Sequence, residues 1–179
     1  FPPHCFLCRV PLGGSDLPYL CAQHALQLIS VGEQHCRRCS LTLAGDCSVD
    51  CPDCRRHEWA FDQAHALFQY KEGLIRLVQA FKYEKKRFLI RTFSSFLKIN
   101  LGTALKPALT PIDVIVPVPM TPQKEKERGF NQAALLAAAA AQILNRPVFK
   151  RGLSKQQKKE GGASQATLSE EERWGHIKG

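Results

Sequence analysis

Eight residues in the first third of the chain have the types and the spacing of metal ligands. They form four pairs with two residues between the members of each pair, and the pairs are separated by 12, 11 and 11 residues. Turns of this kind direct both ligand atoms toward one centre, and two neighbouring pairs supply the corners of a tetrahedron. Taken in order, the pairs predict two zinc sites. Their ligands would be Cys5, Cys8, Cys21 and His24 for the first, and Cys36, Cys39, Cys51 and Cys54 for the second.

The main alternative to zinc is a disulfide scaffold, because small secreted domains often contain an even number of cysteines. The pairs repeat with ligand spacing and the chain shows no signal sequence, so we expect a cytoplasmic zinc protein. An iron–sulfur cluster is a minor alternative. Four protein ligands leave no open position for water, which predicts two structural sites. Cys47 breaks the pattern and is interpreted as a spare thiol, with ligand exchange as the alternative.

Positive charge is concentrated outside the ligand region. The chain of 179 residues has a net charge of +9, yet its first 60 residues contain five basic and six acidic side chains, and the rest contain 20 and 10. The densest basic runs are residues 82–87 and 150–159. Such a field favours anionic partners, either phosphorylated small molecules or nucleic acid, although solvated helix faces produce similar runs. No run reaches the ~18 apolar residues of a membrane span, and we expect none.

The periodicity after the ligand region predicts both strands and helices. Residues 64–70 alternate and predict a strand, whereas apolar residues recur at helical spacing through residues 74–81 and 89–97. Residues 131–144 predict a further helix with a run of five alanines. We also expect a loop at residues 102–111, where one glycine and two prolines occur.

A second predicted strand is the most informative element for function. Residues 113–118 are apolar and β-branched, which is typical of a strand buried on both faces of a parallel sheet. Pro117 and Pro119 cannot donate ladder hydrogen bonds, so the strand should end near Val116. We expect residues 120–129 to form a polar loop of the kind that holds ligands at the carboxyl end of a sheet.

V-P-V-P at residues 116–119, followed by R-G-F-N-Q at residues 128–132, closely resembles the ComF family of competence-associated, phosphoribosyltransferase-like proteins. The double zinc ribbon, F-Q-Y-K-E-G at residues 68–73 and F-K-Y at residues 81–83 follow the family order. The resemblance implies an α/β fold of the type I phosphoribosyltransferase class, a parallel sheet flanked by helices. It also implies two domains: a double zinc-ribbon module at residues 1–58 and a phosphoribosyltransferase-like domain at residues 59–179.

The resemblance further implies a site for phosphoribosyl pyrophosphate (PRPP) with Mg²⁺. A diphosphate is held by backbone N–H groups and a guanidinium, and residues 155–173 would form a flap over it. Family members continue into a strand with paired acids and a Thr-Thr-Gly loop, which this chain does not include. We therefore expect half of a PRPP site, no assignable catalytic residue and no turnover from this chain alone. The cofactor-binding residues would be Pro119, Met120, Thr121, Arg128 and Gly129.

Two functions are compatible with the sequence. The first is a phosphoribosyltransferase-like protein that binds PRPP and is associated with natural competence and DNA uptake. The second is a non-catalytic accessory factor of transformation that binds single-stranded DNA or a competence helicase. Because the ligand region has a net charge of −1, we expect DNA to bind the basic second half of the chain.

Overall fold

The computed structural model describes residues 4–14, 17–28, 30–32, 34–44, 50–102 and 112–155. Cys47, the predicted loop at residues 103–111 and residues 156–173 of the predicted flap lie outside these ranges. None of the described helices is long and apolar enough to cross a bilayer. The described helices are α1 (Ala22–Leu26), α2 (Pro52–Arg56), α3 (Glu72–Tyr83), α4 (Ile90–Gly102), α5 (Pro122–Arg128) and α6 (Gln132–Leu144), with a 3₁₀ turn (Arg87–Leu89) before α4.

The two helical patterns in the middle of the chain form α3 and α4, which confirms that part of the sequence analysis. Leu77 and Phe81 of α3 are buried, and Phe96 of α4 is buried as well. The ring of Phe81 lies 5.0 Å from that of Phe93. Helix α4 packs along α6, whose first turn is capped by the side chain of Asn131. These helices bury their apolar faces against one another.

One apolar core joins the first ligand turn to these helices. Cys5, Phe6 and Leu20 are buried in the same cluster as Leu77 and Phe96. The fully buried hydroxyl of Thr92 donates to the carbonyl oxygen of Pro18, across 74 positions of sequence. The second group of ligands instead forms a small separate cluster with Leu43 and Trp59. The core of the helices therefore supports the first ligand group much more extensively than the second.

The predicted parallel sheet is wrong: in the part of the chain that the structure describes, there are isolated bridges and no β-strands. Ile115 pairs in parallel with Val148 through two hydrogen bonds, from Ile115 N to Pro147 O and from Phe149 N to Ile115 O, both 2.9 Å. The pairing stops there because the prolines at 117 and 119 have no amide to donate. Val118 is 70% exposed, so the run is not buried on both faces as predicted.

The predicted strand at residues 64–70 also fails to form, since its amides have other acceptors. Ala64 N donates to the carbonyl oxygen of Arg38, and Ala66 N donates to the hydroxyl oxygen of Ser40. That hydroxyl in turn donates to Ala64 O at 2.7 Å. One antiparallel bridge remains, between Phe68 and Ser30. A buried serine of the second ligand turn thus replaces the partner strand.

The predicted polar loop at residues 120–129 is wrong as well, because most of it forms α5. Thr121 caps the helix by accepting a hydrogen bond from Lys124 N, and Pro122 occupies the first position, where its missing N–H is not needed. Gly129 ends the helix at φ 82°, in the left-handed region that glycine enters without steric cost. These signals are local and were present in the sequence.

Replacing Leu77 by alanine should reduce the free energy of unfolding by about 2–5 kcal/mol, because this side chain is fully buried among α3, α4 and the first ligand turn. Urea unfolding followed by circular dichroism, with excess zinc present, measures the change. Leu26→Ala is the matched control, since Leu26 is 86% exposed and its loss should change stability by less than about 0.5 kcal/mol. Equal losses in the two variants would contradict the described core.

Candidate metal centres

The structure brings together the four residues predicted as the first zinc site. The ligand atoms of Cys5, Cys8, Cys21 and His24 all lie within 4.8 Å of one another. The Cys21 Sγ to His24 Nδ1 distance is 3.1 Å, and the Cys8 Sγ to Cys21 Sγ distance is 3.9 Å. Tetrahedral zinc, with bonds of about 2.3 Å to sulfur, spaces its sulfur ligands about 3.8 Å apart. The group has the dimensions of a zinc tetrahedron.

The four residues predicted as the second site are also brought together. The sulfurs of Cys36, Cys39, Cys51 and Cys54 lie within 4.8 Å of one another, and those of Cys39 and Cys51 are 3.7 Å apart. Backbone amides stabilise two of these sulfurs: Cys51 N donates to Cys36 Sγ and Cys54 N donates to Cys51 Sγ, both at 3.4 Å. Each group can hold a metal ion. Soft thiolate donors fit zinc and do not suit Mg²⁺ or Ca²⁺, which prefer oxygen.

The two groups are built on the same backbone design. After the first pair of each group comes a residue in the left-handed region, Arg9 (φ 66°) or Ser40 (φ 62°), whose amide donates to the carbonyl oxygen of the first cysteine at 2.9 Å. The second pair in each group begins a short helix, with Cys21 before α1 and Cys51 before α2. Sequence reasoning noted the ligand rhythm but missed this duplication, which was visible as an offset of 31 or 30 residues between equivalent ligands.

One thiol in each group is prepared to ionise. Burial raises the pKa of Cys5, but hydrogen bonds from backbone amides, that of Cys21 first, outweigh it and lower the pKa from 9.0 to about 6. Cys36 follows the same balance, with the amide of Cys51 as the main donor, and its pKa is also lowered to about 6. Burial and the neighbouring thiols raise the pKa of Cys54. Metal binding must therefore displace protons, and acid must compete with it.

The residues predicted to contact PRPP lie toward the two ends of α5. Pro119, Met120 and Thr121 precede the helix, while Arg128 and Gly129 form its C-terminal end. Seven residues of helix span about 10 Å.

The guanidinium of Arg128 has other partners in the structure. It lies 4.9 Å from the centre of the Tyr83 ring and donates from Nη1 to Gln132 Oε1 at 3.3 Å. Sequence reasoning did not single out Tyr83 as a partner of Arg128, because no local pattern connects residues so far apart in the chain.

Several curated proteins are similar to this chain. The DNA utilization protein YhgH of Salmonella typhi is 29% identical over 146 residues, which is 80% of this chain and 62% of that protein. Competence protein F of Haemophilus influenzae is 29% identical over 98 residues, 54% of this chain and 43% of that protein. Competence protein ComFC of Bacillus subtilis is 29% identical over 115 residues, 61% of this chain and 47% of that protein.

These matches assign the chain to the ComF family. The resemblance noted in the sequence is thereby confirmed. The chain spans about half the length of the ComF relatives it matches, from 43% to 62%. No family model matches it. No solved structure matches it either.

Zinc should remain bound to this ComF homologue at pH 7 and dissociate as the pH falls through and below about 6. The lowered pKa of Cys36 keeps its thiolate available above pH 6, and protonation below that value removes a ligand, so stability from the metal is lost on the acid side. A metal-indicator dye measures the released zinc along a pH titration.

Cys36→Ser should move release from the second group to higher pH, because the serine hydroxyl is a poor zinc ligand at neutral pH. Cys47→Ser is the matched control, since Cys47 lies outside both ligand groups, and it should leave the titration unchanged. If Cys47→Ser released zinc as readily as Cys36→Ser, the ligand assignment would be wrong.

Proposed function

We propose that this chain is a zinc-stabilised part of a ComF-type protein that acts in DNA uptake and binds single-stranded DNA. The names of its relatives support the biological setting: two are competence proteins and one is a DNA utilization protein. The observation that carries the binding role is a surface of exposed cations and aromatic rings at the end of α3. We call it the basic–aromatic surface; its residues are Lys82, Tyr83, Lys85, Lys86, Arg87, Phe88 and Arg128.

The geometry of the basic–aromatic surface suits a single strand. Tyr83 is 59–61% exposed in type with its neighbour ring class, and its own exposed fraction is 61%, with the guanidinium of Arg128 over its face. Exposed rings stack on bases without sequence preference, and nearby cations neutralise phosphates. Lys85 at φ 56° turns the chain so that the cations follow α3 directly.

The acidic residue within this surface does not cancel its charge. Glu84 forms an ion pair with Arg76, with a second contact from Arg76 Nη2 to Glu84 Oε2 at 3.4 Å. The hydrogen bond from Arg76 lowers the pKa of Glu84, so the carboxylate stays ionised and stays engaged. The three lysines are therefore available to an external polyanion. This agrees with the distribution of charge along the sequence, in which the basic excess follows residue 60.

Affinity for an oligothymidylate should fall steeply with salt, since each lysine–phosphate contact releases a counterion. Replacing Lys82, Lys85 and Lys86 by alanine should weaken binding and reduce the slope of log K against log salt by about 2. Fluorescence anisotropy at several salt concentrations measures both. The control variant replaces Lys98, Lys150 and Arg151, three exposed cations elsewhere, and removes the same charge. A flat salt response, or equal effects of the two triple variants, would refute the assignment.

We propose, second, that the segment from Pro119 to Gly129 binds PRPP with Mg²⁺. The supporting observation is that Asn131 Nδ2 donates to Val118 O at 3.5 Å, which ties the two ends of this segment together around α5. Backbone amides before the helix and the guanidinium of Arg128 after it are the donor types that a diphosphate requires. The proposal concerns a protein of the full length of the relatives, of which this chain is a part.

PRPP with Mg²⁺ should raise the melting temperature of such a protein, and Arg128→Ala should abolish the rise, because the guanidinium would supply the main positive charge. Differential scanning fluorimetry measures the shift. Lys126→Ala, an exposed cation on the same helix, should retain it. The proposal fails if PRPP leaves the melting temperature unchanged, and an unchanged shift in the triple lysine variant separates this site from the DNA surface.

A further inference from the structure

A hollow of about 620 Å³ lies beside the second metal group, away from the ligand atoms except for Cys54. Its volume is within the range of sites that hold small organic ligands, about 300–1,000 Å³. Neither the metal sites nor the basic–aromatic surface uses the side chains around it. The residues that line it and bear on its chemistry are Arg38, Arg55, Arg56, His57, Glu58 and Trp59.

The charge lining this hollow is predominantly positive. Three arginines face a single carboxylate, that of Glu58, and one of the three, Arg56, is paired with Asp53 at 2.8 Å. Arg38 donates from Nη2 to Trp59 O at 3.4 Å, but its Nε is enclosed and has no hydrogen-bond partner among the described residues. A buried guanidinium N–H without an acceptor is unfavourable, and an anionic oxygen would satisfy it.

Aromatic rings lie beside these cations. The half-buried indole of Trp59 has its centre 5.2 Å from the ring of Phe61 and 5.8 Å from that of His57. Phe61 is 36% exposed. A partly exposed indole next to arginines combines the two interactions that bind nucleotides without reading their sequence: base stacking and phosphate neutralisation.

We infer that this hollow binds a nucleotide, with its phosphate on Arg38 and Arg55 and its base against Trp59. A free nucleotide and a nucleotide within a single strand share this chemistry. The net charge of −1 in the first 60 residues argued against such a site, but three of the five basic side chains in that region line one hollow. The inference extends the proposed DNA role to a second surface, and its test separates the two.

Tryptophan fluorescence tests the inference directly. The chain contains two tryptophans, so Trp174→Phe leaves Trp59 as the reporter in the zinc-loaded protein. Thymidine 5′-monophosphate should quench Trp59, and Arg38→Ala should weaken that binding roughly tenfold, as expected for loss of a charge-assisted hydrogen bond. Arg37→Ala is the matched control: Arg37 is the exposed neighbour, carries the same charge and is not among the lining residues, so binding should stay within about twofold.

A second variant, Arg55→Ala, guards against misfolding in Arg38→Ala, since Arg55 is exposed, and the zinc content of each variant verifies its fold. Tighter quenching by oligothymidylate than by the mononucleotide would identify a strand as the ligand, and equal quenching would identify a free nucleotide. Both outcomes support the site, as does retention of quenching in the triple lysine variant. Absence of quenching by either nucleotide, equal loss in Arg37→Ala and Arg38→Ala, or competition by inorganic phosphate as strong as by the mononucleotide would overturn it.

Discussion

The burial of the first ligand turn in the core of the helices is the interaction on which the rest of the structure depends. Phe6 and Leu20, beside the ligands Cys5 and Cys21, pack into the cluster that contains Leu77. Metal ligation fixes this turn, and the turn completes the core, so the free energy of metal binding and that of helix packing are shared. A chain with few large apolar residues near its start can thereby still form an ordered beginning.

The second ligand group shows what the same backbone does with less support. Its turn repeats the first, down to the left-handed residue after the second cysteine, but its cluster includes only Leu43 and Trp59 beyond the ligand sulfurs among the described residues. Side chains that would otherwise pack inward are left at the surface. The hollow at Arg38 is a consequence of this: one copy of a duplicated design serves the core, and the other retains a polar face.

Local signals account for what the sequence could predict. A Cys-x-x-Cys turn brings its own sulfurs together, and helical spacing in α3, α4 and α6 depends on neighbours a few positions away. Strand pairing depends on distant partners, and at Ala66 the partner is the hydroxyl of Ser40, which no periodicity could indicate. Helix α5 is a different kind of error, because the capping threonine, the proline and the terminal glycine were all in the sequence. The hollow was hidden because net charge averages over residues that the fold separates.

The bond between Thr92 and Pro18 has a consequence for the order in which the chain can fold during synthesis. The first ligand turn cannot complete its core until α4 has left the ribosome, together with Phe130. The second group and its small cluster lie within residues 36–59 and can close as soon as that stretch emerges. The later-made metal centre is therefore the first that can mature, and the earlier-made one waits for the rest of the protein.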